Sequence, residues 1–204
     1  MTQRITIDPI TRLEVHGKIE IFLDDVGEVS SAYFQIPELR GFESFCVGRQ
    51  AEEMPNITSR ICGVCPESHH IAAAKAVDAA FGVECLPAAR RIRKLIYMAF
   101  FVADHITHFY CLGGPDFIVG PDAPANERNI MGVIRKVGID VASQVIHARK
   151  RNHELIKRLG GRSIHLCGAL PGGWAVHLSP DMRHEFLAWA QENIAFSQFS
   201  LKIF

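Results

Sequence analysis

The sequence predicts an α+β fold, predominantly α, with a small N-terminal antiparallel sheet on a bundle of long helices. Two patterns carry that prediction. Apolar and polar residues alternate near the front of the chain, and beyond about residue 38 the apolar positions recur at helical spacing to the end. The change of period divides one domain into a β-rich part, 1–38, and a helical part, 39–204.

In LEVHGKIEIFL, residues 13–23, Leu13, Val15, Gly17, Ile19, Ile21 and Leu23 alternate with Glu14, His16, Lys18, Glu20 and Phe22, the period of a half-buried strand. DDVGE at 24–28 reads as a hairpin turn into a second strand over about 29–36. Alanine-rich ESHHIAAAKAVDAAFG then predicts a short helix beginning beside Cys65, with Gly82 as its C-terminal cap. The next helix starts at Pro87 and ends at Gly113-Gly114. Its apolar stripe is Ile92, Leu95, Ile96, Ala99, Val102, Ile106 and Phe109. After a proline-rich link, a third helix is expected over roughly 126–158, capped by Asn126 and ended by Gly160-Gly161. RSIHLCGALPGGWAVHLS is a glycine-rich loop that must turn sharply, and Ser179-Pro180 opens a last helix. That helix stays apolar to Leu201, Ile203 and Phe204, which reads as a cut chain whose apolar face is exposed when it stands alone.

Composition narrows the function classes. Lys+Arg and Asp+Glu are balanced at 22 each, which gives no electrostatic footprint for nucleic acid or an anionic membrane. The polar start MTQRITIDPITRLEV lacks the apolar core of a leader, and the longest apolar run, residues 95–103, falls far short of the roughly 20 residues that span a bilayer. A soluble, cytoplasmic protein is expected. Its six cysteines then read as reduced thiols or metal ligands rather than a disulfide framework.

Two of them, Cys62 and Cys65, form a C-x-x-C pair that can direct both thiolates at one soft metal, with Gly63 relieving the tight backbone between them. His69 and His70 could add nitrogen ligands for a zinc module, although they follow Cys65 too closely for ordinary zinc-finger geometry, and a thiol redox pair would need a preceding strand in a βαβ setting where the following region reads as helical. Cys46, Cys85, Cys111 and Cys167 stand alone and read as small buried hydrophobes, and His105 and His108 as satisfied core histidines.

RICGVCPESHH resembles the first signature of nickel-iron hydrogenase large subunits, R-x-C-G-x-C-x-x-x-H, matched at Arg60, Cys62, Gly63, Cys65 and His69. DPITRLEVH at 8–16, RGFE at 40–43, HITHFY at 105–110 and GGRSIH...LPGGW at 160–174 agree with the same family in order and spacing. The resemblance implies a nickel-iron centre whose iron carries cyanide and carbon monoxide, with Cys62 as the terminal nickel thiolate and Cys65 as the thiolate bridging the two metals. His69 would donate a hydrogen bond to a metal-bound sulfur. Glu14 would be the first proton relay, and Glu43 would ligate a structural Mg2+. Arg60 and His165 would lie around the site, His165 toward an iron-sulfur cluster of a small subunit. Val15 stands where the family has glycine, and Leu166 where it usually has proline.

The family completes its centre with a second cysteine pair near its C-terminus, in a D-P-C-x-x-C-x-x-H context that these 204 residues do not contain. The chain therefore resembles the N-terminal half of a large subunit. The implied partners are H2 as substrate, a C-terminal half carrying the second C-x-x-C, the iron-sulfur small subunit, and electron-carrier subunits. A non-catalytic homologous member of an electron-transfer complex is the alternative.

Overall fold

The computed structural model describes residues 3–10, 13–36, 38 and 41–203, and the chain divides into two compact units, 1–41 and 42–204. It is α+β and predominantly helical, as the sequence patterns predict.

The first unit is a three-stranded antiparallel sheet of β1 (Gln3–Ile7), β2 (Lys18–Leu23) and β3 (Val29–Gln35), in the order β1-β2-β3. Ile19 of β2 pairs with Ile7 on one side and Phe34 on the other. The Asp24 carboxylate accepts from the amides of Val26 and Glu28 and so closes the expected hairpin, with Gly27 at a φ of 87°. β1 has too little apolar content to announce itself, and all five of its residues are exposed. β2 begins at Lys18, later than the alternation suggests. The preceding segment folds back instead: the Ile10 amide donates to the Gly17 carbonyl, and a Cβ at Gly17 would meet Leu13 at 2.5 Å. Glu20, expected on a polar face, is only 8% exposed because Arg4, Lys18 and Gln35 close over its carboxylate.

The second unit holds α1 (Phe42–Cys46), α2 (Met54–Thr58), α3 (Pro66–Ala80), α4 (Pro87–Thr107), α5 (Ile130–Val137), α6 (Ile139–Gly160), the two-residue strands β4 (Ala169–Leu170) and β5 (Gly173–Trp174), and α7 (Pro180–Ser200). α3 ends as the sequence predicts, at Gly82 with a φ of 62°. Beyond Thr107, α4 does not stop at the paired glycines. It widens into π-helical turns over His108–Gly113 and Pro115–Val119, where Pro115 has no amide to donate and a Cβ at Gly114 would meet the Phe109 carbonyl at 2.7 Å.

The expected third helix is two helices. Asn129, not Asn126, caps α5 by accepting from the Gly132 amide, and Gly138, at a φ of 88°, separates α5 from α6. α6 ends at Gly161 in the left-handed conformation, and the Ser179 hydroxyl caps α7 by accepting from the Met182 amide.

α4 and α6 pack along each other through Ile96, Phe100, Leu155, Ile156 and Leu159, with Leu166 and Phe186 closing the same cluster. Leu166, the residue in place of proline, is fully buried there. A second cluster joins Ile106, Tyr110, Val133, Val145, Ala148 and Phe196. The stretch Pro87–Gly113 is long and apolar enough to cross a bilayer by length and composition, which the shorter run 95–103 conceals. One face of it, at Ile96, Ala99 and Phe100, is buried in the core, whereas Met98, Phe101 and Leu112 are exposed. Of the apolar end expected to be exposed, Leu201 is exposed, as are Leu187 and Ile194 on α7, but Ile203 is half-buried against the second cluster and Phe204 lies outside the described residues.

Candidate metal centre

A short 3-10 turn, Ser59–Ile61, delivers Cys62 in extended conformation, and the chain then enters α3 with Cys65 at its N-cap and Pro66 at the first helical position. The Cys65 amide donates to the Cys62 sulfur at 3.1 Å, so the loop is wound tightly around the first thiol. His69 follows one turn into α3. The two sulfurs and a His69 ring nitrogen all lie within 4.8 Å of one another, each residue half-buried; among the described residues this is the one cluster with metal-ligand composition. Two thiols and an imidazole suit a soft or borderline ion such as nickel or zinc, and not a hard ion that takes oxygen ligands. The two thiols fit one side of a four-ligand centre, with the imidazole beside them.

Behind the pair the structure buries two residues that the sequence patterns do not turn inward. His70 is fully buried. Its Nε2 accepts from the Ala169 amide at 3.3 Å, so the proton sits on Nδ1, which donates to the Pro55 carbonyl at 3.0 Å. Burial holds its pKa down to about 4, against the favourable carbonyl contact, and the Arg93 charge adds to the depression. Glu67 is 1% exposed, and loss of solvation with the nearby Asp104 charge pushes its carboxyl up to about 7. It faces a cavity of about 120 Å3 shared with Gly63, Pro66, Asp104, Arg149 and His153. The spacing P-E-S-H-H carries no sign that a glutamate and a histidine turn inward; that follows from packing between α3, α4 and the β4–β5 hairpin.

The other sequence-predicted residues are distributed as follows. Arg60 is exposed on the 3-10 turn before Cys62. His165, at a φ of 54°, places Nδ1 3.0 Å from the Ser59 carbonyl, which brings it to the same turn across 106 residues of chain. Glu43 is exposed in the first turn of α1. Glu14 belongs to the first unit, where it lies in an exposed bend and not on a strand face, because β2 starts only at Lys18. His105 is exposed rather than core: it stacks on Phe101 and its ring nitrogen meets the Phe101 carbonyl at 2.8 Å, while His108 is also exposed. The lone cysteines are not core residues either. Cys46, Cys85 and Cys111 are half-buried and Cys167 is exposed; Cys46 ends α1, Cys85 and Cys167 lie in loops, and Cys111 sits in the π-helical extension of α4 at the edge of the second cluster.

A family model described as nickel-dependent hydrogenase matches residues 40–135, and one described as HoxL-like matches residues 4–39. The chain is 46% identical over 202 residues to the iron-sulfur subunit of the F420-non-reducing hydrogenase of Archaeoglobus profundus, covering 99% of this chain and 42% of the relative. To the NAD-reducing hydrogenase HoxS subunit beta of Cupriavidus necator it is 37% identical, over 92% of this chain and 39% of the other. The crystal structure of an NAD+-reducing [NiFe]-hydrogenase in the H2-reduced state superposes with a TM-score of 0.83 at 39% identity, over 99% of this chain and 45% of that one. The Ni-Fe-Se hydrogenase of Desulfovibrio vulgaris Hildenborough gives 0.76 at 33% identity, over 97% and 42%. The chain thus spans less than half the length of these relatives.

Proposed function

This chain belongs to the nickel-dependent hydrogenase family, as an N-terminal part of the large-subunit type, and from that premise we propose that Cys62 and Cys65 hold one side of a nickel-iron centre for reversible H2 oxidation. The observation that carries the reading is the convergence of both sulfurs and His69 within 4.8 Å at the start of one helix. Cys62 would be the terminal nickel thiolate and Cys65 the bridging one, a division that suits soft sulfur with lone pairs for two metals. The remaining two thiolates would come from a C-terminal half bearing a second C-x-x-C, in the same polypeptide or another.

When bound, the centre, with cyanide and carbon monoxide on its iron, supplies heterolytic cleavage of H2. The chain's own residues do the rest. Cys62 and Cys65 bind as thiolates, so loading releases their protons. His69 holds a ring proton toward a metal-bound sulfur and moderates its basicity. Glu14 accepts the proton on a carboxylate oxygen and passes it outward. Glu43 offers a hard carboxylate oxygen to Mg2+. Arg60 and His165, on and against the turn that carries Cys62, sit toward the iron-sulfur small subunit that takes up the electrons on their way to electron-carrier subunits. The balanced charge fits a cytoplasmic assembly without nucleic acid or membrane as a partner.

Elemental analysis of the complex purified anaerobically tests the reading. Nickel should be present near one per chain, on the order of a stoichiometric centre, with iron in excess of it because the small subunit's clusters add their own, and Cys62→Ser or Cys65→Ser should reduce nickel to background. Stoichiometric zinc in the wild type, or nickel retained by both serine variants, overturns it.

A further inference from the structure

We propose that His70 is a positioning residue, a buried imidazole that pins the start of α3 to α2 on one side and to the β4–β5 hairpin on the other, and thereby fixes the spacing of Cys62 and Cys65. The inference rests on the metal-centre reading above and extends it to a residue that touches neither sulfur.

The two cysteines reach the site on different elements. Cys65 rides at the N-cap of α3, whereas Cys62 ends the segment that runs through α2 and the 3-10 turn. A C-x-x-C pair chelates one ion only if those two elements hold a fixed relation, and the loop between them contains Gly63, the residue least able to supply stiffness. Histidines supply it. His70 Nδ1 donates to the Pro55 carbonyl inside α2, and His165 Nδ1 lies 3.0 Å from the carbonyl of Ser59, itself fully buried, so the segment leading to Cys62 is held near both ends.

The other ring nitrogen of His70 secures the pin. The Ala169 amide donates to Nε2, and Trp174 stands edge-on to the imidazole with ring centroids 5.8 Å apart. The hairpin that carries both is fixed in turn. Arg93 donates to the carbonyls of Leu170 and Gly173, each at 2.9 Å, and Asp78 accepts from the Gly172 amide at 2.7 Å. The Trp174 indole donates to the Leu159 carbonyl at the end of α6. A Cβ at Gly168 would meet the Trp174 ring at 2.6 Å, so the indole lies directly against the backbone just before β4. Both ring nitrogens are satisfied by backbone groups on elements that flank the motif.

The test uses the full complex. His70→Phe keeps an aromatic ring beside Trp174 and removes both hydrogen bonds, and His70→Asn keeps a donor toward Pro55 and loses the acceptor for Ala169. Val133→Ala, in the second core cluster, serves as a control for lost packing alone. Three quantities are read: nickel per chain, the line positions of the nickel electron paramagnetic resonance signal, and the melting temperature. Nickel should fall by roughly tenfold or more in His70→Phe, the scale on which outer partners of metal ligands act, and less in His70→Asn. The residual signal should shift in both, while Val133→Ala at a comparable drop in melting temperature keeps wild-type nickel and line positions. Nickel and line positions in His70→Phe that match wild type, or that merely track melting temperature as in Val133→Ala, overturn the proposal. Where His70→Phe does not accumulate, the same comparison between His70→Asn and Val133→Ala decides it. A wild-type complex without nickel removes the metal-centre reading itself, whereas a loaded wild type with indifferent His70 variants removes only the pin.

Discussion

A buried neutral histidine makes stability depend on acidity. The folded pKa of His70 lies at about 4 and the unfolded value at 6.5, so between them the unfolded chain binds more protons. The sign follows: the contribution of His70 to stability is complete above the unfolded value and is lost as pH falls through the folded one. Glu67, its carboxyl raised to about 7, works in the opposite direction over the same range, so the His70 contribution is read as a difference: from pH 7 to 4 the melting temperature of wild type should fall relative to that of His70→Phe, which has no proton to take up, and parallel curves would show that His70 does not contribute. Cys62, Cys65 and His69 were legible in the sequence because their meeting is local, within eight residues of chain. The role of His70 was not. Its partners at Pro55 and Ala169 lie 15 and 99 residues away, and only tertiary packing separates it from the exposed His105 and His108.

At the level of elements, periodicity located the helices and misjudged their joints. An amphipathic stripe that continues across Gly138 reads as one helix, yet the glycine there adopts a φ of 88°, which other residues reach only with strain. Gly138→Ala should cost about 1 kcal/mol or more by forcing a Cβ into that region. Asn129→Ala should cost about 1 kcal/mol through the lost cap, and Asn126→Ala, whose contribution is a backbone carbonyl accepting from the Asn129 side chain, should stay within about 0.5 kcal/mol. Urea midpoints compare the three, and equal losses at Asn126 and Asn129 would contradict the cap assignment. The π-helical extension of α4 had no signature beyond Gly114-Pro115, which signals a helix end as readily as a widening.

Across the whole molecule the α+β class and the helical majority could be read from period alone, because burial of one face imposes that period on any helix. What period cannot supply is the set of ties between distant segments. The buried Arg93–Asp78 pair is the central one, and no spacing rule announces a charged residue inside an apolar helix. Loss of solvation would raise the Asp78 pKa, but the Arg93 and Gly172 hydrogen bonds and the Arg93 charge hold it below the usual carboxylate range. Arg93→Met leaves that carboxylate buried without its cation and should cost about 3–5 kcal/mol, measured by denaturant unfolding. A loss under about 1 kcal/mol would mean that water replaces the guanidinium.

These ties also order events in time. The hairpin that braces α3 is encoded about a hundred residues after the cysteine pair. At a synthesis rate of about 5–20 residues per second, the two thiols leave the ribosome roughly 5–20 s before their brace does. A nascent chain thus passes through an interval in which its reactive sulfurs are already outside and not yet framed, and the brace that finishes the site is made long after the thiols it frames.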